Sequence, residues 1–359
     1  MSLGYEGEHV GFAFILEQAK EPLISKHINA DASEECCELI HPSINLDVNV
    51  WVDKGESSYI DFGVRIPISA ITRQLCIYIP YLIQRDDVID LSRQFKNDEV
   101  AHGIFDSNLT TDYQVCDDVV YLHREDESGG ISLACLPVIT SASIGEKLGF
   151  ELNHLDTGSV LIVDLFRAST VLRQKCDYFY YRFRVPFRTF DDTLSKARDY
   201  REAITSPFIS CTANMFIGIN EGRQLPPPVR KLLYREKTAV GDIYIIAAVD
   251  NRWTAASTTP PYRVRPLEPM VWRTYFPQLK EDDLLSKRKG TPRYTVYQWF
   301  IENGAGLGDG RTFSLTLSKK VVNASSVIFY LVIFLLLNIA SEAVTEYVLL
   351  ALESIGGML

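Results

Sequence analysis

Hydrophobic and polar residues alternate along much of the chain, and this alternation predicts a protein built mainly from β-strands. Residues 45–53 place one leucine and three valines on a single face, which is the pattern of a half-buried strand. Further strands are predicted at residues 59–67, 75–79, 115–123, 131–136, 160–166 and 177–185. The expected fold class is therefore mainly β (α+β), with one or two sandwich-like soluble domains.

Helical periodicity is weaker and predicts few, short helices. The candidates are residues 11–24, interrupted near Pro22, and residues 85–95, 193–204 and 296–303. Residues 304–310 place glycine at every second position and are expected to form a flexible turn. The alternation of residues 312–317 then predicts a last strand before the end of the chain.

One segment has the composition of a membrane-spanning helix. Residues 321–340 contain no charged side chain and are about as long as a helix that crosses a hydrocarbon core. Eleven consecutive apolar residues from Val327 to Leu337 would surround such a helix on all sides, whereas a core helix of a soluble protein has one apolar face. We therefore expect the fold to end in a C-terminal transmembrane helix.

The charges that flank this segment predict its orientation. Lys319 and Lys320 precede it, and no lysine or arginine follows it. Because cytoplasmic flanks carry the excess of basic residues, the N-terminal bulk is expected in the cytoplasm, as in a single-pass, tail-anchored protein. The sequon that begins at Asn108 would then never enter a secretory lumen.

The residues after the span predict a narrow polar stripe. At about 100° per residue, Glu342, Glu346 and Glu353 fall within about 40° of each other on a helix. The complete predicted membrane stripe is Asn323, Tyr330, Asn338, Glu342, Glu346 and Glu353. Such a stripe is typical of a helix at the membrane interface, of a helix–helix contact or of an aqueous pore, and the alternative is a solvated tail.

Changes in pattern divide the chain into six segments. Breaks rich in proline or threonine fall at residues 220–228 and 254–269. The predicted organisation is an N-terminal mixed segment (1–43), a β-rich domain (44–175), a second β-rich unit with a helix (176–253), a connector and juxtamembrane strand (254–318), the transmembrane helix (321–340) and an amphipathic tail (341–359).

Composition narrows the classes of function. The chain of 359 residues has a net charge of −10, so binding to a nucleic acid is not expected. Its 7 cysteines form neither an even disulfide framework nor a C-x-x-C pair. Reduced thiols are therefore expected, without a metal or another cofactor.

A short motif provides the one candidate for catalysis. Residues 155–159, Leu-Asp-Thr-Gly-Ser, resemble the Asp-Thr-Gly-Ser signature of aspartic proteases, which makes Asp156, Thr157 and Gly158 candidate catalytic residues. The chain contains no second copy of the motif, so such a site would require a symmetric dimer. The alternative interpretation is an ordinary hairpin turn.

The sequence predicts a non-enzymatic membrane protein in preference to an enzyme. Its cytoplasmic part would sense a small ligand or a protein partner, while its terminal helix anchors the chain in lipid, oligomerises it or perturbs the membrane. This arrangement is that of some bacterial defence and stress effectors, an analogy of layout alone. The alternatives are a membrane-tethered hydrolase that acts as a dimer through Asp156, and a passive tail-anchored scaffold.

Overall fold

The computed structural model describes residues 11–18, 43–52, 58–105, 109–114, 118–124, 131–137, 150–187, 208–273, 275, 292–302, 310–322 and 324–356. These residues form two mixed β-sheets, several short helices and one long C-terminal helix. The expected mainly β fold with a terminal apolar helix is therefore confirmed.

The described residues contain seventeen strands and five α-helices. The strands are β1 (Gly11–Gln18), β2 (Ser43–Val52), β3 (Tyr59–Pro67), β4 (Arg73–Ile79), β5 (Ile89–Asp90), β6 (Thr110–Gln114), β7 (Val119–Arg124), β8 (Ile131–Leu136), β9 (Phe150–Leu155), β10 (Gly158–Asp164), β11 (Tyr178–Pro186), β12 (Phe208–Ile219), β13 (Ala239–Asp250), β14 (Thr254–Ser257), β15 (Arg263–Pro266), β16 (Tyr294–Ile301) and β17 (Arg311–Val322). The α-helices are α1 (Asp98–Phe105), α2 (Leu165–Ser169), α3 (Pro227–Glu236), α4 (Pro269–Trp272) and α5 (Ala324–Gly356).

The strands are shared between two sheets. Sheet 1 has seven strands in the order β14-β17-β12-β1-β4-β10-β9. Sheet 2 has ten strands: nine follow the order β15-β16-β13-β2-β3-β11-β8-β7-β6, and β5 pairs with β11. The parallel pairs are β1 with β12, β2 with β13 and β8 with β11, while the remaining pairs are antiparallel.

The inner faces of the two sheets pack on each other as a sandwich. Phe12 and Phe14 of sheet 1 contact Phe62 of sheet 2, with ring centroids 4.9 and 5.2 Å apart. The same core takes alternate residues from nearly every long strand of both sheets. This interdigitation across the sandwich explains the strong alternation of the sequence.

The outer faces of both sheets are covered as well. On sheet 1, Val229 and Leu233 of α3, together with Leu225 just before it, pack against Ala13 and Ile15 of β1. On sheet 2, residues 91–105, 109, 267–273 and 275 bury a second apolar cluster around Trp51 and Tyr180. Strands of this protein therefore bury side chains on both sides, which weakens the difference between strand and helix patterns.

Most predicted strands are confirmed, whereas the predicted helices are largely wrong. The strand predicted at 115–123 is present only from Val119, as part of β7, and the strand predicted at 160–166 ends at Asp164, where α2 follows. Residues 11–18 form β1 and residues 294–301 form β16 instead of helices. Residues 85–95 contain two short 3₁₀ turns on either side of β5. Residues 193–204 lie outside the described part of the chain, as do residues 304–309 of the expected glycine-rich turn.

Strand pairing does not follow the six segments predicted from the sequence. β11 pairs with β3, and β13 with β2, which joins segment 176–253 to segment 44–175 in one sheet. Segment 254–318 is also not a connector, because it supplies β14 and β17 to sheet 1 and β15 and β16 to sheet 2. The last strand, predicted over residues 312–317, is present as β17.

Candidate functional site

A buried network of charged and polar side chains lies on the outer face of sheet 2. The carboxylate of Asp61 receives two hydrogen bonds from the guanidinium of Arg184, at 2.6 and 3.0 Å. The indole nitrogen of Trp51 donates to it at 2.6 Å and the hydroxyl of Tyr275 at 2.8 Å. Asp61 is completely buried and Arg184 is 1% exposed, so this is an ion pair enclosed in protein.

Arg182 connects this ion pair to a second carboxylate. Its Nε donates to the hydroxyl of Tyr275 at 2.7 Å, and its Nη1 donates to the hydroxyl of Tyr180 at 2.9 Å. Tyr180 in turn donates to Asp47 at 2.9 Å. Burial alone would lower the pKa of Arg182, but the surrounding oxygens, including those of Asp61 and Asp47, raise it, and the guanidinium stays charged.

Gly63 makes room for this network. It is the register partner of Arg182 across β3 and β11. A Cβ atom at this position would lie 2.1 Å from the hydroxyl oxygen of Tyr180 and 3.0 Å from Nη1 of Arg182. The absence of a side chain at Gly63 thus lets both polar groups cross β3 towards Asp47.

Beside this network, the same face of sheet 2 opens into a cleft with a volume of about 80 Å³. Its floor consists of Asp47 on β2, Arg65 on β3, Tyr244 on β13 and Gln298 on β16. The end of α1, at Phe105, forms one wall. The remaining lining residues are Ile104, Leu109, Arg124, Ile131, Leu133, Ile245, Ile246, Tyr262 and Trp299.

The electrostatics of this cleft centre on Tyr244. Burial, followed by the charge of Asp242, raises the pKa of its phenol, while Arg65 and Arg124 act in the opposite direction. Tyr244 therefore remains a neutral hydrogen-bond donor at physiological pH. Its ring is 37% exposed and lies 4.7 Å from the ring of Phe300, so an aromatic surface extends outward from the cleft.

Two polar groups in the lining are buried without a hydrogen-bond partner among the described residues. They are Nε of Arg65, whose guanidinium lies 5.8 Å from the centre of the Phe105 ring, and Oε1 of Gln298. Gln298 is only 2% exposed. An unsatisfied buried polar group costs about 1–3 kcal/mol, so such groups call for a physical explanation.

The sequence analysis missed this cleft entirely. Asp47 and Arg65 come from the consecutive strands β2 and β3, whereas Tyr244 and Gln298 come from β13 and β16 much later in the chain, and only the strand register brings the two pairs together. The available signal was a polar residue at alternate positions of strands that are otherwise apolar. That signal is also given by a strand with one solvated face, which is how residues 45–53 were interpreted.

The terminal helix is the second functional feature. α5 comprises 33 residues, and its apolar window Val327–Thr345 has a mean hydropathy of 2.3 with no part buried in the structure. The predicted bounds of 321–340 need correction, because Val321 and Val322 belong to β17. The predicted tail is also not a separate unit, since residues 341–356 continue the same helix.

The predicted membrane stripe lies largely on α5. Tyr330, Asn338, Glu342, Glu346 and Glu353 all belong to this one helix, whereas Asn323 is outside the described residues. The side chain of Asn338 donates to the carbonyl of Phe334 at 2.9 Å. This bond satisfies part of the polar group within its own helix, as an apolar environment requires.

The Asp156 motif forms the tip of a hairpin. Leu155 of β9 pairs with Gly158 of β10, so Asp156 and Thr157 are the two residues of a tight turn, and both are exposed. Tyr78 donates to the carbonyl of Thr157 at 3.0 Å, and a Cβ at Gly158 would lie 2.2 Å from the carbonyl oxygen of Ile79. This geometry supports the hairpin alternative, and a catalytic role of Asp156 in a dimer stays a prediction.

No group of three or more His, Cys, Asp or Glu side chains within the described ranges could hold a metal ion. Cys76, Cys135 and Cys176 are free thiols.

Comparison with known proteins does not identify a family for this chain. No family model matches the chain, and no curated protein matches it. Among solved structures, the Mu homology domain of Fcho1 from Danio rerio with bound Eps15 peptide aligns over 77% of this chain and 78% of that chain. The two are 8% identical with a TM-score of 0.15, a similarity too low to indicate a shared fold or a shared ligand.

Proposed function

We propose that the chain is a membrane-anchored sensor or interaction protein. In this proposal, α5 crosses a bilayer and holds the β-sandwich at its cytoplasmic surface, where the sandwich binds a small ligand or a partner. The helix also brings copies of the chain together through its polar stripe. The function is binding and anchoring, without an enzymatic reaction.

The observation that carries this proposal is the exposed apolar surface of α5. Leaving a large aliphatic side chain in water instead of an apolar medium costs about 1.5–3 kcal/mol. Leu335, Leu336 and Leu337 are 59–64% exposed. Insertion into a bilayer removes this cost for all the exposed apolar side chains of Val327–Thr345. At 1.5 Å per residue a helix of 33 residues is about 50 Å long, which exceeds a hydrocarbon core of about 30 Å.

The junction between β17 and α5 supports a close attachment of the sandwich to the membrane. β17 pairs with β12 along its whole length, from Arg311 opposite Ile219 to Val322 opposite Phe208. A single residue, Asn323, separates this strand from α5. Because β17 leads towards α5, the β12–β17 end of sheet 1 would face the lipid headgroups in this proposal, with Lys319 near the anionic cytoplasmic leaflet.

The anchoring step is tested by substituting the centre of the window. Leu336→Arg places a charge at the midpoint of Val327–Thr345, where it costs about 2.5–3.5 kcal/mol of insertion free energy. The matched control is Tyr347→Arg, which introduces the same charge in the same helix beyond the window. In liposome flotation we expect the wild type and Tyr347→Arg to float and Leu336→Arg to remain largely in the soluble fraction.

Equal flotation of the two arginine variants would contradict a spanning helix and favour an interfacial one. A chain truncated after Val322 retains all of β17 and provides the unanchored reference. Light scattering of the full chain in detergent beside this truncation then tests assembly. A defined oligomer that becomes monomeric on truncation is expected, whereas an oligomer that survives truncation would move assembly to the sandwich.

A further inference from the structure

One face of α5 follows a heptad repeat. Residues that are alternately four and three positions apart form the contact face of paired helices. On α5 this spacing defines a seam that consists of Val327, Leu331, Phe334, Asn338, Ser341 and Thr345. At about 100° per residue, these positions lie within about 80° of each other. Leu331 and Phe334 are 57% and 63% exposed, so the described part of the chain leaves this face uncovered.

Asn338 places a carboxamide on this seam near the centre of the apolar window. It is two residues from Leu336, the midpoint of Val327–Thr345, and therefore about 3 Å from it along the helix axis. One of its two N–H groups donates to the carbonyl of Phe334 at 2.9 Å. Among the described residues, no other hydrogen bond uses its second N–H or its Oδ1. Because lipid at this depth supplies neither donors nor acceptors, both atoms favour contact with another polar group.

The seam beyond Asn338 permits a close approach of a second helix. Ser341 and Thr345 are small residues four positions apart, a spacing that lets two helix backbones come near each other. The hydroxyl of Thr345 donates to the carbonyl of Ser341 at 2.8 Å, so it is satisfied within its own helix. Of the predicted membrane stripe, Asn338 is the residue that falls on the seam, whereas Tyr330 and Glu342 lie on its two flanks.

We propose that α5 of a second copy of the chain covers this seam, forming a parallel homodimer in which the two Asn338 side chains hydrogen-bond to each other. Every copy enters the membrane in the same orientation, so the two helices run parallel and identical residues meet at equal depth. The remaining N–H of one Asn338 donates to Oδ1 of the other. A single asparagine at such a core position of a heptad seam favours in-register, two-stranded pairing.

This inference rests on the proposed function, because it takes α5 as a membrane-spanning helix, and it deepens that function by naming the partner and the residue that selects it. Insertion and pairing have separate readouts. Liposome flotation measures insertion, and sedimentation equilibrium of the full chain in density-matched detergent micelles measures pairing. Asn338→Leu removes the carboxamide without adding a charge, so this variant should float as the wild type does.

The test compares the dimer dissociation constant of the wild type with that of Asn338→Leu. We expect a constant about 5- to 30-fold higher for the variant, the effect of losing an interhelical hydrogen bond in an apolar medium. Two double variants then relocate the carboxamide. Adding Leu331→Asn to Asn338→Leu returns it to the seam one heptad earlier and should restore pairing. Adding Leu336→Asn instead places it on the opposite side of the helix and should not.

Several results would overturn the dimer. These are a wild type that is monomeric or forms an assembly larger than a dimer, an unchanged dissociation constant for Asn338→Leu, and equal pairing of the two relocated variants. A dimer that persists in the chain truncated after Val322 also overturns it, because assembly would then reside in the sandwich. Equal flotation of Leu336→Arg and Tyr347→Arg would instead contradict the spanning helix, so the two failures are distinguished.

Discussion

Four hydrogen bonds from three side chains converge on the carboxylate of Asp61, which makes it the centre of the buried network. Burying an ion pair costs desolvation free energy, and this cost is offset only while every group keeps its partner. The pair of Asp61 and Arg184 meets this condition through bidentate geometry. It therefore fixes how residues 267–275, through Tyr275, pack on sheet 2.

Removing the charge of Asp61 should be severely destabilising. Asp61→Asn leaves Arg184 buried without a counterion, and we expect the free energy of unfolding to fall by about 3–5 kcal/mol. The control is Asp156→Asn on the exposed hairpin, which should change it by less than about 0.5 kcal/mol. Urea denaturation of the full chain in mild detergent measures both, and a loss below about 1 kcal/mol for Asp61→Asn would show that the network adds little stability.

The sequence could not identify these buried charges. The alternation of residues 45–53 correctly predicted a strand and its inner face, but it assigned Asp47 and Asn49 to solvent. Both are buried, because residues 91–105, 109, 267–273 and 275 cover the outer face of sheet 2. Contacts between residues about 200 positions apart leave no local signature, so neither Asp61 nor the cleft was predictable.

The same double-sided burial explains the errors in secondary structure. β1 buries Phe12 and Phe14 in the sandwich and Ala13 and Ile15 beneath α3. A continuous apolar run of this kind has no period of two, so periodicity cannot separate it from a helix. β3 alternates apolar residues with Asp61, Gly63 and Arg65 and was predicted correctly, as was the length of apolar sequence in α5.

Asp250 links the end of β13 to Arg252 and Arg293 through ion pairs. Its carboxylate is expected to make the stability of the fold depend on acidic pH. Its carboxylate is 2% exposed and accepts hydrogen bonds from Arg252 at 2.7 Å and from Arg293, next to β16, at 2.9 Å. Burial alone would raise the pKa of Asp250, but these hydrogen bonds outweigh it and lower the pKa to about 2. A lowered pKa in the folded state means that the ionised form stabilises the fold.

This stabilisation should be complete above about pH 4 and should be lost as the pH falls towards 2. Asp250→Asn removes it at every pH, so the variant is expected to be less stable than the wild type at pH 7, and the difference should shrink between pH 4 and pH 2. Glu99→Gln, an exposed carboxylate on α1, should give a curve parallel to that of the wild type. Thermal unfolding across this pH range measures the difference, and a constant offset between wild type and Asp250→Asn would contradict the assignment.

The described part of the molecule consists of a β-sandwich, in which strands distant in sequence pair with each other, and one long apolar helix. Strands from the beginning, middle and end of the described region before α5 pair within both sheets, so these strands are not divided into successive β-rich units. β17, a strand of sheet 1, ends at Val322, and α5 begins at Ala324.

The central claim is that α5 crosses a membrane with the sandwich on the cytoplasmic side, and glycosylation mapping tests it most directly. The chain is translated with microsomes after addition of a short C-terminal extension that carries a sequon, and Asn108 provides a natural sequon on the N-terminal side of α5. We predict modification of the C-terminal site alone, abolished by Leu336→Arg. Modification at Asn108 would reverse the orientation, and no modification at either site would contradict a spanning helix.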